Sequence, residues 1–382
     1  MNFDLTDEQR MLQEAAREFL AARLKSEQIR ALAESDDAFS EDLWREMSDL
    51  NWPGLMVSEQ YGGQELGTIE LAVLMEQLGY ALAPGPIFSS MLAAIALETA
   101  ATDQQKERYL APLATGEQRG TLALWDAGAG WSPADVTLEP EATGGGYLLR
   151  GEKLFVLDAA TADFLIVGAI GDRRFIVDRD AEGLSIVPTE TIDATRKQYA
   201  VRLDGVKVGE EAAFGGEGAM GPARARAYIA LAAELTGVAQ RALEWAVEYA
   251  KERKQFNRPI GAYQAVSHRC AQMLLETEGA RSASYYAAWA ADNEPETAEL
   301  AASMAKAYAS DAGTRVTGAS LQVHGGIGFT WEHDLHLWLK RAVAGSVMFG
   351  DARWHRERVA RLVIDQQPQE PTAPVVAVAA AK

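Results

Sequence analysis

A single cysteine, Cys270, stands in 382 residues. An intrachain disulfide framework is therefore excluded, and a reducing compartment fits the chain best. Apolar runs of the roughly 18–20 residues needed to span a bilayer are also missing, so no membrane contact is expected. The opening Met1-Asn2-Phe3-Asp4-Leu5 lacks the basic-then-apolar pattern of an export signal, and the expected location is the cytoplasm. Positive charge is in deficit: 36 Lys and Arg against 55 Asp and Glu give a formal net charge of -19. Such a charge repels a polyanion at long range. Nucleic acid is thus not expected as a partner, and a CoA or phosphate ligand requires a small, local basic site.

What is present is the composition of a packed protein, with 48% apolar and 24% charged residues. The length exceeds the roughly 100–200 residues of one ordinary core, so two or three domains are expected. Residues 1–119 read as all-helical. Thr6-Asp7-Glu8-Gln9 is a capping box, in which the threonine oxygen and the glutamine side chain satisfy free amides at a helix start, and Thr102 to Gln105 repeats it. Turn-forming breaks at Trp52-Pro53-Gly54 and Tyr61-Gly62-Gly63 precede a helix-spaced apolar run from Ile69 to Tyr80.

Residues 120–220 change to short apolar or alternating runs, among them Tyr147-Leu148-Leu149, Phe164-Leu165-Ile166-Val167 and Arg174-Phe175-Ile176-Val177. Their close spacing, without long helices between them, predicts an antiparallel barrel or sandwich and disfavours a Rossmann sheet. Residues 221–365 return to helix, with Leu231, Leu235, Val238, Ala242, Trp245 and Tyr249 on one stripe. Further helices are expected near 264–291, 297–319, 334–346 and 351–365, packed as a bundle whose small faces, such as Ala301-Ala302-Ser303-Met304-Ala305, permit close approach. Residues 366–382 are rich in Gln, Pro, Ala and Val and read as a mobile tail. The fold class is α+β, helical then β then helical.

Two segments carry chemistry. Glu252-Arg253-Lys254-Gln255-Phe256-Asn257-Arg258-Pro259-Ile260-Gly261-Ala262-Tyr263-Gln264 and Leu321-Gln322-Val323-His324-Gly325-Gly326-Ile327-Gly328-Phe329 each end one helix and lead into another. Taken singly, Arg253 reads as a helix-end cation, Phe256 as core and the Gly-Gly-x-Gly run as a turn. Taken together, in this order and after this layout, they resemble the acyl-CoA dehydrogenase family over residues 1 to about 365. Arg253 offers fixed donors to a pyrophosphate, Phe256 an apolar face, and Gln264 a polar anchor at a helix start. Gly325 and Gly326 let backbone amides approach a phosphate, and Gln322 completes the contact. The resemblance implies that these residues grip the adenine and pyrophosphate of an FAD whose ring sits mainly on a neighbouring subunit. Arg258-Pro259 and His324 are read as structural, and no metal is called for.

The chain departs from the family at the other end of that cofactor. Acyl-CoA dehydrogenation needs a base beside the thioester α-carbon, usually a glutamate in a Glu-Gly-Thr or Glu-Gly-Ser turn. The matching turn here is Met348-Phe349-Gly350-Asp351, so Phe349 takes the base position and Asp351 is the fallback carboxylate. Relatives that carry the glutamate on the first helix of the C-terminal domain match Ala227 instead. Glu234, farther along that helix, reads as a surface or ion-pair residue. In the middle block Trp125 replaces a threonine and Leu157 a hydroxyl-bearing residue, both of which meet the flavin ring in the family.

With these departures the chain resembles the non-base subunit of the two-plus-two heterotetrameric acyl-CoA dehydrogenases. That resemblance, and not the residues themselves, implies an acyl-CoA substrate, with a steroid side-chain CoA as one candidate, and an electron-transfer flavoprotein or similar acceptor. A related chain would supply the base. Alternatives are a homotetrameric dehydrogenase with an atypical base, another flavin oxidase or monooxygenase on the same scaffold, and a structural partner without flavin contact.

Overall fold

The computed structural model describes residues 4–365; the tail expected at 366–382 lies outside the described residues. Both expected capping boxes form. Gln9 N donates to Thr6 Oγ1 at 3.2 Å and Thr6 N to Gln9 Oε1 at 2.9 Å, and the Thr102/Gln105 pair repeats this at 3.3 and 2.9 Å. Helices Asp7–Arg23, Ser26–Glu34 and Glu41–Asp49 come first, and the two glycine-containing breaks then separate them from Thr68–Tyr80 and Ile87–Ala100. These last two helices are apolar around most of their circumference, which places them at the centre of the main core.

The middle of the chain forms two sheets. One has the strand order Gly120–Ala123, Phe164–Ala169, Arg173–Asp178, Ala213–Gly215; the other is built on the long antiparallel pair Gly146–Leu157 and Gln198–Gly209. Their inner faces share a core that includes Leu149, Val167, Phe175 and Val201. One pairing differs from the antiparallel expectation: Gly120–Ala123 runs parallel to Phe164–Ala169. Between them the chain passes through the second sheet, and a long crossover of this kind is what a parallel neighbour requires.

The C-terminal helices pack around Gly221–Glu252, whose expected stripe residues Leu231, Leu235, Val238 and Ala242 are all fully buried. This helix crosses Thr68–Tyr80 at two glycines. A Cβ on Gly79 would lie 2.1 Å from Glu234 O, and one on Gly237 would lie 1.9 Å from Glu76 O. Only hydrogen at both positions lets the backbones touch, and that contact locks the N-terminal helices to the C-terminal bundle. The helices expected at 264–291 and 334–346 are observed as Gln264–Asn293 and Leu335–Val347. The one expected at 297–319 runs as Pro295–His324, since nothing breaks it before Gly325, which takes φ 62. The last expected helix is α-helical over Ala352–Ala360 and continues as a π-turn at Arg361–Asp365.

Candidate functional site

The two chemistry-bearing segments meet at one end of the C-terminal bundle. Tyr249, one turn before Arg253, stacks on His324, the residue before Gly325, with centroids 4.7 Å apart. His324 is buried with Nδ1 2.8 Å from Ser320 O, and burial lowers its pKa, so it packs as a neutral ring. After Glu252 the chain forms a hairpin, Lys254–Gln255 against Arg258–Pro259, with Phe256 and Asn257 both at positive φ in the two-residue turn. Phe256 is 87% exposed at this tip, which corrects the single-residue reading of it as core. A bulky ring held at positive φ and in water is unfavourable on both counts.

Arg253, Gln264 and Gln322 are also exposed, and their side chains make no hydrogen bond or ion pair among the described residues. Gln264 opens its helix as expected. A Cβ on Gly325 or Gly326 would meet nothing within 4 Å, so both amides can be approached closely.

The departures gather elsewhere, around a cavity of about 260 Å³ between the β sheets and the helices. Trp125, Trp131, Phe155, Leu157 and Phe349 line it. Trp131 packs edge-on to Trp125 at 5.4 Å and lies 6.1 Å from Phe155, so aromatic rings form this wall. Trp125 is fixed by its neighbour Asp126. That carboxylate pairs with buried Lys153 at 2.6 Å and accepts from Thr137 N at 2.6 Å, which ties the following loop to the sheet. A second cavity of about 40 Å³ lies behind the first, and both Ala227 and Phe349 line it. The two residues that the resemblance matches to a base thus line one space, and neither side chain is a proton acceptor. The carboxylate that does line the larger cavity is Glu190, which is exposed.

Asp351 is not among the lining residues of either cavity. Its carboxylate caps the next helix, accepting from Trp354 N at 2.7 Å. Beneath the same turn Lys306 is fully buried and donates to Ser310 Oγ, Ser346 O and Gly350 O at 2.8, 3.1 and 3.0 Å. Burial lowers the Lys306 pKa to about 7, with Asp351 opposing the shift. The turn that carries Phe349 is therefore anchored from below.

Glu234 is 1% exposed, which corrects its reading as a surface residue and bears out the ion-pair alternative. Arg196 and Arg341 both donate to it, and Arg341 also reaches Asp193 and Thr195 Oγ1. This network holds the 190–198 stretch, which contributes Glu190, Thr191 and Ile192 to the cavity wall. It escapes a reading of the sequence because Asp193, Glu234 and Arg341 are far apart along the chain and nothing in their local pattern marks them.

The N-terminal part matches the description "Acyl-CoA dehydrogenase, N-terminal domain" over residues 6–117, and the C-terminal part matches "Acyl-CoA dehydrogenase, C-terminal domain" over residues 223–364. The probable acyl-CoA dehydrogenase YngJ of Bacillus subtilis is 31% identical over 95% of this chain and 100% of its own. The chain belongs to the acyl-CoA dehydrogenase family. Among solved structures, a variant of the Tcur3481-Tcur3483 steroid ACAD superposes with TM-score 0.86 at 32% identity, covering 94% of this chain and 98% of that one. The ChsE4-ChsE5 complex from Mycobacterium tuberculosis gives 0.89 at 27% identity, covering 96% and 100%.

Members of the acyl-CoA dehydrogenase family are oxidoreductases that bind FAD. The residues of this member suit the nucleotide end of that cofactor: a guanidinium and two side-chain amides stand exposed and, among the described residues, unpaired, and the glycine pair is open to close approach. The larger cavity offers a flavin ring less: of the residues that the resemblance matches to the ring and the base, Trp125 and Leu157 carry no hydroxyl and Phe349 no proton acceptor. No helix among the described residues is long and apolar enough to cross a membrane.

Proposed function

We propose that this chain is the non-base subunit of a hetero-oligomeric acyl-CoA dehydrogenase, built as a 1–119 helical domain, a 120–220 β domain and a 221–365 helical bundle. Arg253, Phe256, Gln264, Gln322, Gly325 and Gly326 grip the adenine and pyrophosphate of an FAD whose reactive ring is served by a related partner. That partner supplies the catalytic base. The observation that carries the reading is the convergence of Phe349 and Ala227 on a single cavity without a base, while the nucleotide-gripping groups stand exposed and unpaired on another face.

Exposed, unpaired donors beside the exposed rings of Phe256, Phe329 and Trp331 describe a surface that is completed by another chain. The two paired-chain complexes with high structural similarity support a two-plus-two assembly, and the steroid description of one supports a steroid side-chain CoA as substrate. Electrons pass to an electron-transfer flavoprotein or similar acceptor, and the assembly works in the cytoplasm.

The test is to co-express the chain with candidate relatives and to determine subunit composition and FAD content. The expected product is a mixed tetramer with one FAD for each unlike pair. A complex that carries one FAD per chain, or a yellow and active preparation of this chain alone, contradicts the proposal.

A further inference from the structure

Three of the residues that line one small space each carry a buried hydrogen-bond donor without a partner among the described residues. Trp125 Nε1, Arg224 Nε and Tyr228 Oη are each shielded from solvent and unpaired among the described residues. All three side chains line the 40 Å³ cavity behind Phe349, whose other walls include Leu92, Leu122 and Met220. A buried donor left unpaired is costly, and folded chains rarely gather several around one cavity unless something that accepts hydrogen bonds enters it.

Charge narrows the choice of guest. Arg174 and Arg224 both pair with the single carboxylate of Asp172, at 2.7 and 2.8 Å, which leaves one positive charge in excess beside the cavity. The Tyr228 hydroxyl has its pKa raised by burial and stays a donor. A carboxylate brings about four lone-pair sites and a compensating charge, whereas a hydroxyl offers two and no charge. The small cavity shares Leu92, Leu122, Trp125 and Phe349 with the 260 Å³ apolar cavity, so the two adjoin.

We infer that the paired cavities are a non-catalytic binding site for an elongated apolar carboxylate, its body in the larger cavity and its carboxylate received by Trp125, Arg224 and Tyr228. The inference rests on the reading that no flavin ring occupies the larger cavity of this chain. With no base at Phe349 or Ala227, such a guest is held and not transformed.

The probes are decanoate and the uncharged 1-decanol, titrated calorimetrically and by tryptophan fluorescence into the full-length chain in the assembly in which it purifies. FAD per chain is measured on the same sample. Decanoate is expected to bind at least about tenfold more tightly than 1-decanol, and both Tyr228→Phe and Arg224→Met to weaken decanoate by about tenfold and 1-decanol by clearly less. Trp125→Phe serves as a third variant should either of these melt early. Failure of both probes to bind, equal affinity for the two, or unchanged decanoate affinity in the variants overturns the inference and leaves water as the occupant. A full complement of FAD would overturn the subunit reading and this inference with it, whereas decanoate that fails to bind a sample holding no more than one FAD per unlike pair overturns the inference alone.

Discussion

Arg341 donates through Nη1 to Glu234 Oε1 at 2.8 Å, both side chains fully out of solvent, which joins the Leu335–Val347 helix to the central Gly221–Glu252 helix. Arg341 also holds Asp193 and Thr195 of the cavity-lining stretch. Removing one member of a buried ion network leaves the others charged and desolvated. Arg341→Met is therefore expected to lower stability by about 3–5 kcal/mol, read from urea unfolding. A loss below about 1 kcal/mol would mean that the network relaxes around the gap.

Asp158 makes the opposite contribution. It is fully buried beside the larger cavity, its Oδ2 accepts from Ser89 Oγ at 2.7 Å, and its Oδ1 has no partner among the described residues. Burial raises its pKa from 3.8 to about 6, against the pull of the Ser89 hydrogen bond and of Arg196 and Arg341. The folded chain thus keeps a proton that the unfolded chain has released, and this residue's contribution to stability declines as pH rises from 3.8 through about 6. Asp158→Asn removes that dependence, and φ 48 at this position suits asparagine. The variant should gain on the native chain by about 3 kcal/mol in all between strongly acid and neutral pH, of which about 1.4 kcal/mol falls between about pH 5 and about pH 7.5. Unfolding curves at about pH 5 and about pH 7.5 test this; a stability difference that stays flat with pH would rule it out.

The helical blocks, the capping boxes and the β middle were legible because they rest on local patterns: a threonine three residues before a glutamine, a 3.6-residue stripe, short alternating runs. The parallel pairing of Gly120–Ala123 was not, since it depends on a crossover and leaves no local mark. The proposed loss of a base rests on Phe349 and Ala227 separately, through resemblance. Their sharing of one cavity, and the orphan donors of Arg224 and Tyr228 beside them, required the packing of helices distant in sequence. Glu234 shows the same limit from the other side, because its position on the helix was evident while its buried pairing with Arg196 and Arg341 was not.

The crossing at Gly79 and Gly237 invites a substitution whose sign is unusual. Glycine to alanine within a helix ordinarily gains close to 1 kcal/mol from propensity. At Gly237 the added carbon would sit 1.9 Å from Glu76 O and 2.7 Å from Tyr80 N, and backbone atoms of a packed helix cannot move aside separately. Gly237→Ala should therefore destabilise by about 1–3 kcal/mol or more. Gly318→Ala, in a helix where the new carbon meets nothing within 4 Å, should stabilise instead. Thermal melts of the two variants must move in opposite directions for the close crossing to be correct.

Arg253 offers the sharpest test of what the exposed face is for. Its side chain is solvent-exposed and unpaired among the described residues, so Arg253→Ala should leave the folding of this subunit within about 0.5 kcal/mol of the native value. If the guanidinium grips a pyrophosphate in the assembled enzyme, the same change removes a charge-assisted contact and should weaken FAD retention about tenfold to a hundredfold. The readout is flavin absorbance of the purified complex after dialysis, with subunit composition checked in parallel. Loss of flavin from an intact complex places this chain in the cofactor site across the subunit boundary. Undiminished flavin in an intact complex would mean that the chain contributes only scaffold.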